Sequence, residues 1–237
     1  MSNETAGSDR IASFKAELER QRWDDHRLYH HSRVNQSLHL LSALSFLASY
    51  ALLAVSPSTA ALVGWIVAMC SRQIGHFFFE PKDFDAVNQV SNEHKERIKV
   101  GYNLRRKVVL LAVWALSPVA LLVAPSLGGI LEPHRDWNGF MHNLATLWLA
   151  LGAAGLLFRT VQLFFVRDLR TGLVWCTKIL TDPFHDVTLY HRSPLRLLRG
   201  ELIDPMTQVQ EALAISSAIA PGYESGLETE GELEVAG

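Results

Sequence analysis

Gln73-Ile-Gly-His-Phe-Phe-Phe-Glu80 closes a long apolar run and is followed at once by Pro81 and a charged loop. Its reading decides the fold and the chemistry. His76 and Glu80 are four positions apart, which on a helix puts both on one face, about 6 Å apart along the axis. An imidazole and a carboxylate so placed can chelate one metal ion. Backwards from this stretch the run reaches Ala60, and Ser56-Pro57-Ser58-Thr59 forms a tight turn. Before the turn lies another apolar run, Leu38 to Val55. The two runs predict a helical hairpin.

The rest of the chain repeats the theme. A charged connection over 81–107, with a short surface helix expected in its middle, leads to a third run, Val108 to Ala124, with Pro118 inside it. A proline kinks such a helix without forbidding a span. A fourth run covers Phe140 to Val166 and is interrupted by Arg159 and Gln162. Of the 237 residues 49% are hydrophobic and 19% charged, below the roughly 25% of soluble domains. The expected fold is therefore all-α: a polytopic membrane protein with four transmembrane helices and amphipathic interfacial helices. Residues 1–28 read as a disordered start, through residue 8, and an interfacial helix after Asp9. In that helix Ile11, Phe14 and Leu18 recur at helical spacing, which a soluble packing helix would also show. Residues 29–200 read as the membrane domain. Residues 201–237 read as a short helix over 205–219 and a disordered acidic tail.

Lys and Arg concentrate in 1–37, 81–107 and 167–200, whereas the turn at 56–59 has none and the 125–139 loop only Arg135. Both termini and the middle loop should then face the cytoplasm, at a bacterial inner membrane or at the endoplasmic reticulum of a eukaryote. The net charge of −2 offers no basic surface for nucleic acid. Cys70 and Cys176 suggest neither a disulfide framework nor a zinc site.

This topology sorts the ten histidines. Only His134 and His142 fall on the far side. His39 and His76 lie inside apolar runs, where ionisable groups are costly and mark function. An antiparallel hairpin brings them to a similar depth, so His39, His76 and Glu80 can meet. Two His and a carboxylate with open positions suit non-haem iron that activates oxygen. His31 is about 12 Å from His39 on a straight helix. Either the helix breaks near Ser37, or His31 serves a second metal or orients a ligand. Asp182 precedes Pro183, so a helix should end there. His185 and His191 would then sit in a loop able to fold back under the hairpin and complete the site. His26, His30 and His94 read as ordinary surface or packing histidines. Arg159, about 10 Å deep in the fourth run, either snorkels or pairs with a fatty-acid carboxylate.

Tyr29…His31-x-x-x-Asn35-x-x-x-His39, followed one hairpin later by Gln73-x-Gly75-His76-x-x-x-Glu80, resembles the ER-membrane 2-hydroxy-fatty-acid dioxygenase family. The resemblance covers residues 29–80. It implies a small multi-span protein that uses Fe(II), as one or two ions, and molecular oxygen to shorten 2-hydroxy fatty acids by one carbon. It also implies His31, His39, His76 and Glu80 as the metal set. Tyr29, Asn35 and Arg159 are then candidates for the substrate side. After Glu80 the chain departs from the family, with Pro81-Lys-Asp-Phe-Asp opening a long charged loop. The expected function is a membrane oxygenase acting on a lipid or 2-hydroxy fatty acid. The alternative from another class is a metal or proton carrier, or a scaffold.

Overall fold

The structure, a computed structural model, describes residues 2–102 and 104–211, and the side chains of 11–102 and 106–211. Among these residues it is all helical, with two isolated β-bridges and no strands. The chain runs through α1 (Ser2–Tyr29), α2 (Arg33–Leu52), α3 (Pro57–Leu62), a π-helical stretch (Val63–Met69), α4 (Cys70–Phe78), α5 (Asn92–Ile98), α6 (Leu104–Val123), α7 (Trp137–Val166), α8 (Leu169–Tyr190) and α9 (Ser193–Leu198). The predicted hairpin is present, with α2 as one arm and α3, the π stretch and α4 as the other. Pro57 opens the second arm at the first helical position, where a missing N–H costs nothing.

Two helices are long and apolar enough to cross a membrane: Arg106–Val123 within α6, and α7. Little of either is covered by the rest of the chain, and Val109, Leu116, Leu122, Phe158 and Phe165 are all more than half exposed. A core helix of a soluble domain would bury such residues.

The hairpin is different. The buried stripe of α2 is polar: Asn35, Gln36, His39, Ser42, Ser45 and Ser49 face inward, while Leu41 and Leu44 face outward. Ser45 and Ser49 satisfy their hydroxyls on the carbonyls of Leu41 and Ser45, one turn back. α2 is the centre of the bundle and packs on α3, the π stretch, α4, α8 and α9. The far end of the bundle is apolar. Leu121, Phe140, Leu144 and Trp148 form a core there, joined by Trp65 and Trp114. Trp65 Nε1 donates to the Trp148 carbonyl, and Trp148 Nε1 donates to Ser117 Oγ.

The structure corrects the reading of two termini. α1 runs from Ser2 instead of starting after Asp9, and it docks on α8 through polar residues. α8 does not stop at Asp182; it continues through Pro183 to Tyr190. The missing N–H of Pro183 is tolerated because the helix is held from both sides. Tyr50 on α2 donates to the Leu180 carbonyl, and Arg22 on α1 bonds Asp182 and Thr181. Residues 207–211 are helical, and the remainder of the expected 205–219 helix, with the acidic tail, lies outside the described residues.

Gly172 lets α8 turn back onto α7. A Cβ there would stand 2.5 Å from the Phe164 ring and 2.9 Å from the Thr160 carbonyl oxygen. The second of these is backbone and cannot swing aside. Gly172→Ala should therefore lower stability by about 1–3 kcal/mol, read as a drop in melting temperature in detergent. An unchanged melting temperature would show that the crossing is looser than this.

Candidate metal centre

The site is built on an interruption between α1 and α2. Residues 30 and 31 are not helical, and Ser32 caps α2 by accepting from the Asn35 N–H. The break is clamped from several directions. Gln36 Nε2 donates to the His30 carbonyl and to Asp204, the Arg33 N–H donates to the Leu202 carbonyl, and the Asp204 N–H donates to the His31 carbonyl. Arg33 pairs with Asp204 at 2.7 Å. Residues 202–204 thus lie across the break as a strap.

Released from helical geometry, His30 turns back over α2. Its ring centroid is 4.1 Å from that of His39 and 5.6 Å from that of His76, and the last two are 4.9 Å apart. One nitrogen of each ring lies within 4.8 Å of the others. The sequence reading of a hairpin delivering His39 and His76 to a common spot holds. The third histidine is His30, which that reading set aside.

The pattern of satisfied and unsatisfied nitrogens is the decisive observation. His30 Nδ1 is 2.8 Å from the Tyr190 hydroxyl, and His76 Nδ1 is 2.8 Å from Glu80 Oε2. His30 Nε2 and both nitrogens of His39 are buried with no partner. His39 itself is fully buried. Buried polar atoms are nearly always paired, because an orphan costs about 1–3 kcal/mol. One cation at the centre of three neutral imidazoles can take one nitrogen from each ring. Metal–nitrogen bonds of about 2.0–2.1 Å would draw these nitrogens closer together.

No family model, no curated protein and no solved structure matches this chain. The site stands on its own geometry.

Glu80 is not positioned as a ligand. It bridges His76 Nδ1 and Lys99 Nζ, the latter at 3.0 Å, so it orients the His76 ring from behind. His31 turns the other way. Its Nε2 meets the Arg27 carbonyl, Asp85 at 3.3 Å and Asn88 at 3.4 Å, and so anchors the 85–90 turn to the end of α1. His185 lines a cleft beside the cluster, between α1 and α8, and His191 is at the surface bonded to the Thr188 carbonyl. Neither joins the three rings.

Asn35 and Tyr29 are structural neighbours. Asn35 Nδ2 donates to the Tyr29 carbonyl, and the Tyr29 hydroxyl donates to the Lys95 carbonyl. Asn35 also explains Gly75: a Cβ at residue 75 would sit 2.2 Å from Asn35 Oδ1. Only glycine lets α4 approach α2 closely enough for the residue after it, His76, to reach His39. Arg159 is buried and binds the Val100 and Gly101 carbonyls and Gln162. It ties the segment after α5 to α7.

Beside the rings lies a buried ionic network that the sequence did not suggest. Lys178 bonds Asp25 and Asp182; Arg22 bonds Asp182; Arg72 pairs with Asp186 at 3.3 Å. Asp186 in turn is 3.7 Å from His39 Nδ1. Burial pushes the Asp186 carboxyl up, against the pull of Arg72 and Lys178. Burial also holds His26 down to about 4 and His30 well below its ordinary value.

These two histidines make stability depend on pH. In the unfolded chain each takes a proton near pH 6.5, whereas the folded chain refuses it. Their contribution is complete above about pH 6.5 and is lost as the pH falls toward the folded values, at ~1.4 kcal/mol per pH unit per group. The melting temperature of chelator-treated protein should drop between about pH 7.5 and about pH 5. His26→Gln should flatten part of that slope, and an unaltered slope would show that His26 titrates freely.

Proposed function

We propose that the chain is a membrane enzyme that uses a divalent metal, iron(II), held by His30, His39 and His76, to oxidise a lipid or 2-hydroxy fatty acid at the cytoplasmic face. The observation that carries this reading is the clustering of three imidazoles, His30 and His39 buried and His76 half-buried, with unpartnered nitrogens on the two buried rings. The family resemblance over residues 29–80 supplies the choice of iron and of the 2-hydroxy acid. When bound, iron(II) supplies the activation of molecular oxygen.

The chain's own residues fit that role. Three neutral ligands leave the charge of a divalent ion uncompensated, unlike a set that includes a carboxylate. An anionic substrate group, such as a 2-hydroxy carboxylate, supplies the missing charge. Glu80, held by Lys99, and Tyr190 fix the rings of His76 and His30 from behind. Ile74 and Phe78 on α4 are exposed and offer an apolar surface for an acyl chain. In this reading the hairpin arms span the bilayer with α6 and α7, giving four spans with both termini on the cytoplasmic side. A carrier would distribute polar side chains through the whole depth of the membrane. Here the far end of the bundle is closed by Trp65, Trp114, Trp148 and Leu121.

Metal analysis of the protein purified in detergent tests this. Wild type should carry about one iron per chain, lost in His30→Ala, His39→Ala and His76→Ala and retained in His31→Ala. Oxygen uptake should require the metal and a 2-hydroxy fatty acid. A wild-type protein without metal, or one that keeps its metal when His39 is removed, would end this reading.

A further inference from the structure

Tyr190 stands between two histidines. Its hydroxyl is 2.8 Å from His30 Nδ1 and 3.3 Å from His26 Nδ1. The ring is almost fully buried at the end of α8, and the three groups line the cleft that also holds Arg72, Asp182 and His185. A hydroxyl has one proton, so it donates to one of these nitrogens and accepts from the other.

Resting on the metal reading above, we propose that His26 and Tyr190 form a positioning relay that fixes the tautomer of His30 and so sets the affinity of the centre. The chemistry runs one way. His30 Nδ1 is at the Tyr190 hydroxyl and Nε2 is the unpartnered nitrogen, so a cation would take Nε2 and require the His30 proton on Nδ1. That N–H donates to the Tyr190 oxygen. The Tyr190 proton then has one acceptor within reach, His26 Nδ1, and the proton of His26 must sit on Nε2. Each step places one proton and leaves no donor facing a donor. Burial favours the neutral form of His26 that this arrangement needs.

The relay also gives the two adjacent histidines different work. His30 is read by the cluster on one nitrogen and by Tyr190 on the other. His26, in the last turn of α1, reaches the same hydroxyl, and its carbonyl accepts from the His30 N–H. His76 has Glu80 in the equivalent position. His30 has a neutral partner there, which fixes orientation without adding negative charge to the centre.

The test is cobalt(II) titration of detergent-purified protein, following affinity and the ligand-field absorption bands. Tyr190→Phe removes one oxygen and leaves the packing. It should weaken cobalt binding ~10–100-fold, the usual effect of losing the group behind a metal-bound imidazole, and shift the bands. His26→Gln keeps an acceptor for the Tyr190 proton and should bind within a few-fold of wild type, whereas His26→Leu should behave like Tyr190→Phe. Loss of a merely structural contact would lower the melting temperature without moving the bands and would not distinguish Gln from Leu. Wild-type affinity and spectrum in Tyr190→Phe, or equal losses in His26→Gln and His26→Leu, overturn the relay while leaving the metal reading intact. Wild type that binds no cobalt overturns both.

Discussion

Everything at the candidate centre depends on the chain leaving helical geometry at residues 30 and 31. Were α1 and α2 one straight helix, His30 and His39 would be about 13.5 Å apart along the axis. The observed ring separation is 4.1 Å. Bringing an imidazole back over the first turn of the next helix exposes backbone groups that a helix would have paired, and burial makes that costly. The chain answers with Ser32 as a cap, Gln36 on the His30 carbonyl, and the 202–204 strap on both sides of the break. Gln36 is completely buried and is held in turn by Ser193 and Arg33. The centre is thus tied to α9 and the strap, far along the sequence, as firmly as to the hairpin that carries two of its rings.

The ionic network is the second support. Arg22, Arg72 and Lys178 face Asp25, Asp182 and Asp186, so the charges balance. Burying such groups gains little net stability, because desolvation offsets attraction, but removing one member would strand the others. What the network does is fix α1 and α4 against α8. Those contacts set the distance between Tyr190 and His30 and bring Asp186 beside His39. A bundle with polar contents at one end and stacked tryptophans at the other also has its ends defined, which an evenly apolar hairpin would not.

Much of this was legible in the sequence. Long apolar runs, the hairpin and a short helix in the middle of 81–107 follow from patterning and turn chemistry, and the pairing of His39 with His76 follows from antiparallel depth; the second arm opens at Pro57, which the sequence placed in a turn. What failed was the choice between two neighbouring histidines. Periodicity fixes which face a residue occupies within a helix, but not where the helix stops. Asn35 and His39 repeat at spacing four with His31, which placed His31 in the series; the break includes it and sends it to Asp85 instead. The signals that favour His30 are long-range: Tyr190 comes from a helix that Pro183 seemed to end, and Leu202 and Asp204 lie beyond it. Lys178, Asp25 and Arg72 were equally invisible, since a charge on a helix is ordinarily a solvated one.

Glu80 illustrates how local spacing can be right while the role differs. The i, i+4 geometry with His76 is as expected, and the two side chains do meet at 2.8 Å. They meet through Nδ1, which leaves Nε2 to face His30 and His39. Lys99 takes the other carboxylate oxygen, its ammonium also sitting 4.0 Å over the Tyr29 ring. Both Glu80 oxygens are engaged, and Lys99 is itself held by Glu96 at 3.2 Å, so Glu80 is fixed in place behind the ring. Its negative charge is therefore felt through the His76 imidazole, raising that ring's basicity as a donor without occupying a coordination position. Three such imidazoles would leave the charge of a divalent ion uncompensated, whereas a set that included Glu80 would offset part of it.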